Sequence, residues 1–420
     1  MAEEETEILE PYQVSFSDLV HLSSRFQSPR DRKRFQCISR KVMSALGPTG
    51  PGLLCITGVL GSAVLRRQLL PMARKLALLD PDKRIRILKE HHLGSDVSLK
   101  NPLRDVSSFA MQLNYERTSK SSPGKLRFHE PAATLDLQEV NDDDEFTNLG
   151  TAFKELGFCM RELGLSIARI CDREIGGGFL EDSLLDSCTA KARLIHYHSA
   201  ADKCALRETA ERINQSGKRK SRVQSTAEQE VNRRNGNSLN GSHFNLWQQW
   251  HYDYGIFTVL TDPMFLSSYS YQEYTLMGGH SYLQIYHPSK NKLYMVKTPQ
   301  DSFIVQIGES ADILSKGKLR STLHCVCKPE KLEHLSRETF VVFLQPKWSQ
   351  TFSVSEYTME HLRSYSLQSQ LSDKDEVPNL DIQKIVPPLS SRVRDGMTFA
   401  EFSRETTKQY YGGNGLQSNR

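Results

Sequence analysis

The chain has 420 residues, 38% of them hydrophobic, and a formal net charge of +4. That is enough for more than one average domain, or for one large β-containing domain with additions. So small a charge gives no argument for a nucleic-acid partner, and no apolar run is long enough to span a membrane.

The acidic start Met1-Ala2-Glu3-Glu4-Glu5 has no apolar stretch of the kind an export signal needs. The chain is therefore expected in the cytoplasm, acting as a monomer. Eight cysteines, none in a CxxC pair, are expected as reduced thiols. Cys325 and Cys327 read as alternating strand residues rather than as half of a zinc site.

Residues 1–30 read as a polar, partly ordered N-terminal segment. Phe35, Ile38, Val42 and Leu46 fall at helical spacing and predict a helix over 31–46. Gly47-Pro48-Thr49-Gly50-Pro51-Gly52 ends it. Residues 53–59 predict a buried strand, and 62–79 a helix with a kink at Pro71. Asp80-Pro81-Asp82-Lys83 opens a new turn or helix. Residues 90–145 mix Gly, Ser, Pro and charge and give no periodic signal. Leu149, Phe153, Leu156, Met160, Leu163, Ile167 and Ile170 then form one apolar stripe. Gly157 and Gly164 inside it favour a helix packed on its own domain over a coiled coil.

Strand patterns begin at Ala192. A polar segment over 207–245 reads as a mobile insertion, with a basic peak at Gly217-Lys218-Arg219-Lys220-Ser221-Arg222. A solvated loop accounts for that peak, with a nuclear address as the alternative. Further strands are predicted over 251–260, 282–287, 292–297, 302–307, 321–326 and 339–345, a spacing that indicates a β-sandwich or barrel. A last helical stretch holds Phe399, Phe402 and Tyr410. These patterns divide the chain into the segment 1–30, a mainly helical region 31–190, a β core 191–350 and a helical extension 351–420.

The chemistry concentrates in the β core. His251 and Asp253 stand one residue apart, so on a strand they would share a face. His324 lies on a later strand, and Arg337 and Thr339 on the one after. Two His and one carboxylate make a facial triad that leaves positions free on a non-haem Fe(II) ion. A buried Arg with a hydroxyl two residues on can hold a carboxylate.

His251-x-Asp253, Ser321-Thr322-Leu323-His324-Cys325-Val326 and Arg337-Glu338-Thr339 stand in the order of the motifs of the plant-type 2-oxoglutarate- and Fe(II)-dependent dioxygenases. The chain resembles that family, the isopenicillin N synthase-like branch, from about residue 35 to 415. The match departs at Ile195 and His198, where the family carries the Asn and Pro flanking a tyrosine, here Tyr197.

The resemblance implies an α+β fold with a double-stranded β-helix (jelly-roll) core flanked by N-terminal and C-terminal helices. It implies Fe(II) on His251, Asp253 and His324, and 2-oxoglutarate reaching Arg337, Thr339 and Tyr197, with ascorbate as reductant. Dioxygen and a small organic molecule would be the other substrates. The outcome would be hydroxylation, desaturation or demethylation with release of succinate and CO2. The alternative is a non-catalytic binding or interaction protein that keeps the fold. His196, His198, His243, His280, His287 and His334 are expected in structural or surface roles, and Trp247 and Trp250 either in the core or at a substrate pocket.

Overall fold

The computed structural model describes residues 7–23, 29–95, 99, 101–102, 104–116, 144–218, 246–276, 278–329, 332–355 and 386–411. Two strands come first, β1 (Glu7–Leu9) and β2 (Gln13–Ser15), followed by α1 (Phe16–Ser23) and α2 (Pro29–Leu46). The N-terminal segment is thus built into the fold, because β1 and β2 pair in parallel with later strands. Next come β3 (Leu53–Thr57), α3 (Ser62–Leu78) and α4 (Pro81–Glu90). Helix α3 runs on through Pro71. Helix α4 starts where the Asp80 carboxylate accepts from the amides of Asp82 and Lys83, with Pro81 in the first turn, where its missing N–H costs nothing.

The unpatterned stretch contains β4 (Gly94–Ser95) and β5 (Val106–Asn114); residues 117–143 lie outside the described ones. Helix α5 (Leu149–Ile175) carries the predicted stripe, all of it buried. After α6 (Phe179–Ser187) and β6 (Thr189–Tyr197), helix α7 (Ala200–Lys218) occupies the first part of the expected insertion. That part is a helix, not a mobile loop; 219–245, with most of the basic peak, lie outside the described residues.

The remaining strands are β7 (Leu246–His251), β8 (Phe257–Thr261), β9 (Met264–Ser267), β10 (His280–His287), β11 (Lys292–Lys297) and β12 (Phe303–Ile307). Helix α8 (Glu309–Leu314), β13 (His324–Cys327), β14 (Leu335–Leu344), α9 (Leu389–Arg392) and α10 (Phe399–Tyr411) complete the order.

Among the described residues the strands form two sheets. The smaller runs β1-β11-β10-β13-β7; the larger runs β2-β3-β12-β8-β14-β6-β5-β4, with β9 also on β14. The α+β jelly roll is therefore present. Strands β3 and β5 of the mainly helical region belong to the larger sheet.

Side-chain alternation separates two cores. Leu54 and Ile56 of β3, and Phe340, Val342 and Leu344 of β14, face the helices. Leu53, Cys55 and Val341 face the space between the sheets. Phe153 of α5 meets Phe340 edge to face, ring centroids 4.7 Å apart. A Cβ at Gly164 would lie 2.1 Å from a Leu344 methyl, so this glycine sets how closely α5 approaches the sheet. Each fully buried aliphatic or aromatic side chain along this seam contributes about 1.5–3 kcal/mol. The helices thus cover one face of the large sheet, and the face toward the small sheet is left for the site.

Candidate metal and co-substrate site

His251 ends β7 and His324 begins β13. They are direct partners across the antiparallel pair, with ring centroids 4.2 Å apart. Asp253 is not on the strand. The predicted strand 251–260 breaks into β7 and β8, and Asp253 lies in the turn between them. The turn is pinned from outside. The amide of Glu309 donates to the Asp253 carbonyl at 2.8 Å, Ser310 to Gly255 at 3.0 Å, and Gly308 to Ile256 at 3.0 Å. A Cβ at Gly308 would lie 2.2 Å from the Gly255 carbonyl oxygen, so this approach needs glycine.

The turn swings the Asp253 carboxylate toward both imidazoles. Its Oδ1 is 3.8 Å from His251 Nε2, and its Oδ2 is 3.9 Å from His324 Nε2. Thr258, inward on β8, donates to Oδ2 at 2.6 Å and fixes the carboxylate's rotation. Nδ1 of His251 faces the Gln249 carbonyl at 2.7 Å, and Nδ1 of His324 faces the Thr322 carbonyl at 3.0 Å. A carbonyl only accepts, so each Nδ1 carries the proton and each Nε2 presents a lone pair. Burial, and next the neighbouring His324, push His251 down to about 4, against the pull of Asp253. The ring is therefore neutral at physiological pH, as a metal ligand must be.

Two imidazole Nε2 atoms and one carboxylate, all within 4.8 Å of one another, fit a divalent first-row metal. Backbone carbonyls and a threonine hydroxyl orient all three.

Arg337 and Thr339 lie on β14, opposite Tyr197 and Ile195 of β6. By alternation they share the face of Val341, toward the small sheet. Arg337 is buried, and its Nε donates to the Ser281 carbonyl at 3.0 Å. Its guanidinium carbon lies 5.2 Å from the centroid of the Tyr197 ring. It forms no ion pair with any described residue, although burial pushes its pKa down. Thr339 Oγ1 is 3.4 Å from Thr261 Oγ1. The Tyr197 hydroxyl donates to Gln248 Oε1 at 2.8 Å, and the Gln248 amide reaches His251 Nε2 at 3.1 Å. Tyr197 thus lines the path between the arginine and the triad, with its hydroxyl on Gln248.

Three contributors had no motif to announce them. Gln248 links Tyr197 to His251, and Thr258 steadies Asp253. Gln306, inward on β12, is buried with neither end of its amide bonded among the described residues. The alternation of β8 and β12 was the available signal for the last two.

Among the other histidines, His287 and His334 rest against Tyr294 and Tyr269, and His280 opens β10. His243 lies outside the described residues. Trp247 belongs to the core between the sheets, and Trp250 to a small cluster with Leu323, Cys325 and Val386. All eight cysteines are free. Among the described residues no helix is long and apolar enough to cross a membrane.

Two histidines and a carboxylate gathered at one end of the smaller sheet of a jelly roll offer the facial donor set that suits a non-haem Fe(II) ion. Residues 243–353 match the sequence model of the 2OG-Fe(II) oxygenase superfamily. Over those residues the chain carries a 2OG-Fe(II) oxygenase domain, the domain of the 2-oxoglutarate- and Fe(II)-dependent dioxygenases. Its fold is similar to that of a full-length Neurospora crassa protein solved in complex with alpha-KG and 5-formyluracil. The TM-score is 0.53 at 13% identity, over 97% of this chain and 98% of that one. The same Neurospora crassa protein solved with alpha-KG and thymine matches with a TM-score of 0.51 at 13% identity, over 96% and 98%. No curated protein matches by sequence.

Proposed function

We propose that His251, Asp253 and His324 hold the Fe(II) and that Arg337 and Thr339 receive the far carboxylate of 2-oxoglutarate, in an enzyme that oxidises a small organic substrate. The observation that carries this reading is the convergence of two Nε2 lone pairs and a carboxylate beside a buried arginine with no carboxylate partner among the described residues. A buried guanidinium without a partner is costly, and an incoming dicarboxylate removes that cost.

Fe(II) with 2-oxoglutarate supplies the oxidising power, coupling decarboxylation to succinate and CO2 to oxidation of a C–H bond by dioxygen. The protein contributes position and a dry setting. His251 and His324 offer neutral Nε2 atoms because their Nδ1 protons are spent on backbone carbonyls. Thr258 keeps Asp253 turned toward both rings. Ser281 takes Nε of Arg337, leaving the terminal amino groups for a two-pronged hydrogen bond. The Tyr197 ring lies against that guanidinium, and Gln248 holds the tyrosine hydroxyl. The outcome on the substrate is a hydroxylation, desaturation or demethylation.

The test is release of labelled CO2 from 1-labelled 2-oxoglutarate by purified protein with Fe(II) and ascorbate. Slow release is expected even without the organic substrate. Absence of both turnover and Fe(II) binding would overturn the proposal.

A further inference from the structure

Behind the sheet that carries Arg337 lies a second convergence of ligand atoms. His196 and Glu338 face each other across β6 and β14, on the helix side with Leu194 and Phe340. His198 follows two residues on, its ring 4.2 Å from that of His196. Asp202 enters from the first turn of α7. All four are buried, His196 and Glu338 to 0% exposure. His196, His198 and Asp202 each offer a ligand atom within 4.8 Å of the others.

The hydrogen bonds around them account for all but two of the ring nitrogens. Nδ1 of His196 lies 2.9 Å from both oxygens of Glu338 and donates to that carboxylate. Nε2 of His198 lies 2.9 Å from Ser107 Oγ, which also accepts from Arg104 Nε at 2.8 Å. Asp202 Oδ1 accepts from Arg74 Nε at 2.9 Å and pairs with its Nη2 at 2.8 Å; Oδ2 accepts from the amide and hydroxyl of Ser199 at 2.9 and 2.7 Å. What remains is His196 Nε2 and His198 Nδ1, both buried and both without a hydrogen-bond partner among the described residues. His196 Nε2 lies 3.5 Å from the Asp202 carboxylate, beyond normal hydrogen-bond length. A cation placed between this nitrogen and the carboxylate would bind both.

Distance decides which cation. A proton shared between an imidazole and a carboxylate draws them to about 2.7–2.9 Å. A tetrahedral metal with bonds of about 2.0–2.2 Å holds neighbouring ligand atoms roughly 3.3–3.5 Å apart. The observed 3.5 Å is longer than a shared-proton contact and leaves the spacing such a metal needs. The other nitrogen of each ring is already engaged by Glu338 or Ser107, the outer support that metal-bound imidazoles use.

We propose that His196 Nε2, His198 Nδ1 and Asp202 Oδ2 form a second, structural metal site of the zinc class, separate from the triad and on the opposite face of the large sheet. It ties α7 to the end of β6 and, through Glu338, to the strand that carries Arg337. Two imidazoles with a single carboxylate suit Zn(II) better than a hard cation such as Mg(II) or Ca(II).

The experiment uses the full chain with His251→Ala and His324→Ala, so that the first site cannot bind. The protein is stripped with a chelator, dialysed against Zn(II), and its zinc content measured by mass spectrometry. One zinc per chain is expected. X-ray absorption at the zinc edge should show two imidazoles in a low-coordinate shell. Adding His196→Gln and His198→Gln should weaken binding by about a hundredfold or more. Glu338→Gln, which leaves every ligand in place, should weaken it roughly ten- to a hundredfold. A folded, triad-free protein that retains no zinc, or zinc held without imidazole, would overturn the site. Unchanged affinity in His196→Gln/His198→Gln would overturn it equally.

Discussion

His251 and His324 are direct cross-strand partners at one end of the small sheet, and each has its Nδ1 proton tied to a main-chain carbonyl two residues back. The pairing brings both Nε2 atoms to one side without any side-chain rearrangement. Removing either ring should therefore remove the metal rather than redistribute it. His324→Ala is expected to abolish Fe(II)-dependent turnover and to weaken metal binding by about a hundredfold or more, judged against the losses seen when only an outer partner is removed. Calorimetric titration with a redox-inert divalent surrogate under anaerobic conditions reads this directly.

Thr258 donates to the Asp253 carboxylate at 2.6 Å from the neighbouring strand. Thr258→Val keeps the shape and deletes the hydroxyl. Metal affinity should fall roughly ten- to a hundredfold with the fold intact. An affinity equal to the parent would show that the turn alone orients the carboxylate.

In the proposed function the buried charge of Arg337 meets one end of the co-substrate. A hydrogen bond to a charged group is worth about 1.5–3 kcal/mol, so Arg337→Gln should raise the KM for 2-oxoglutarate by roughly ten- to a hundredfold. The maximal rate should change much less. A parallel fall in kcat with KM unmoved would assign the arginine a different task.

Arg392 of α9 and Glu309 of α8 form a buried two-pronged ion pair, with contacts of 2.6 and 2.5 Å. The amide of Glu309 is also one of those holding Asp253. Breaking a buried pair from one side costs about 3–5 kcal/mol. Arg392→Met should thus destabilise the protein on that scale in urea titrations and loosen metal binding as well. Replacing both partners with apolar residues should recover part of the stability.

Burial keeps His251 neutral down to about 4 in the metal-free protein, against 6.5 for an ordinary histidine. Between those values the unfolded chain binds a proton that the folded chain refuses. Stability contributed here is present above pH 6.5 and is lost as pH falls toward 4. Metal-free protein should show this acid-side loss in denaturant titrations, and His251→Asn should flatten it.

Much of this was written locally. The stripe from Leu149 to Ile170 is a helix because its spacing allows one buried face, and α5 buries that face. The candidate ligands stood out by residue type and order along the chain, and the cofactors were implied by the family resemblance those motifs carry. Tertiary structure decided the rest, since strand pairing is non-local and leaves no periodic mark. Asp253 reaches the histidines from a turn held by Glu309 and Ser310, not by strand alternation. Strands β1, β2 and β5 exist because distant partners complete their hydrogen bonds. Gln248 and Thr258 gain their roles only through what the fold sets beside them. His196 and His198 looked like spare histidines in the chain. The sheet turned them toward Asp202, on the face away from Arg337, and left one nitrogen of each ring buried without a hydrogen-bond partner among the described residues.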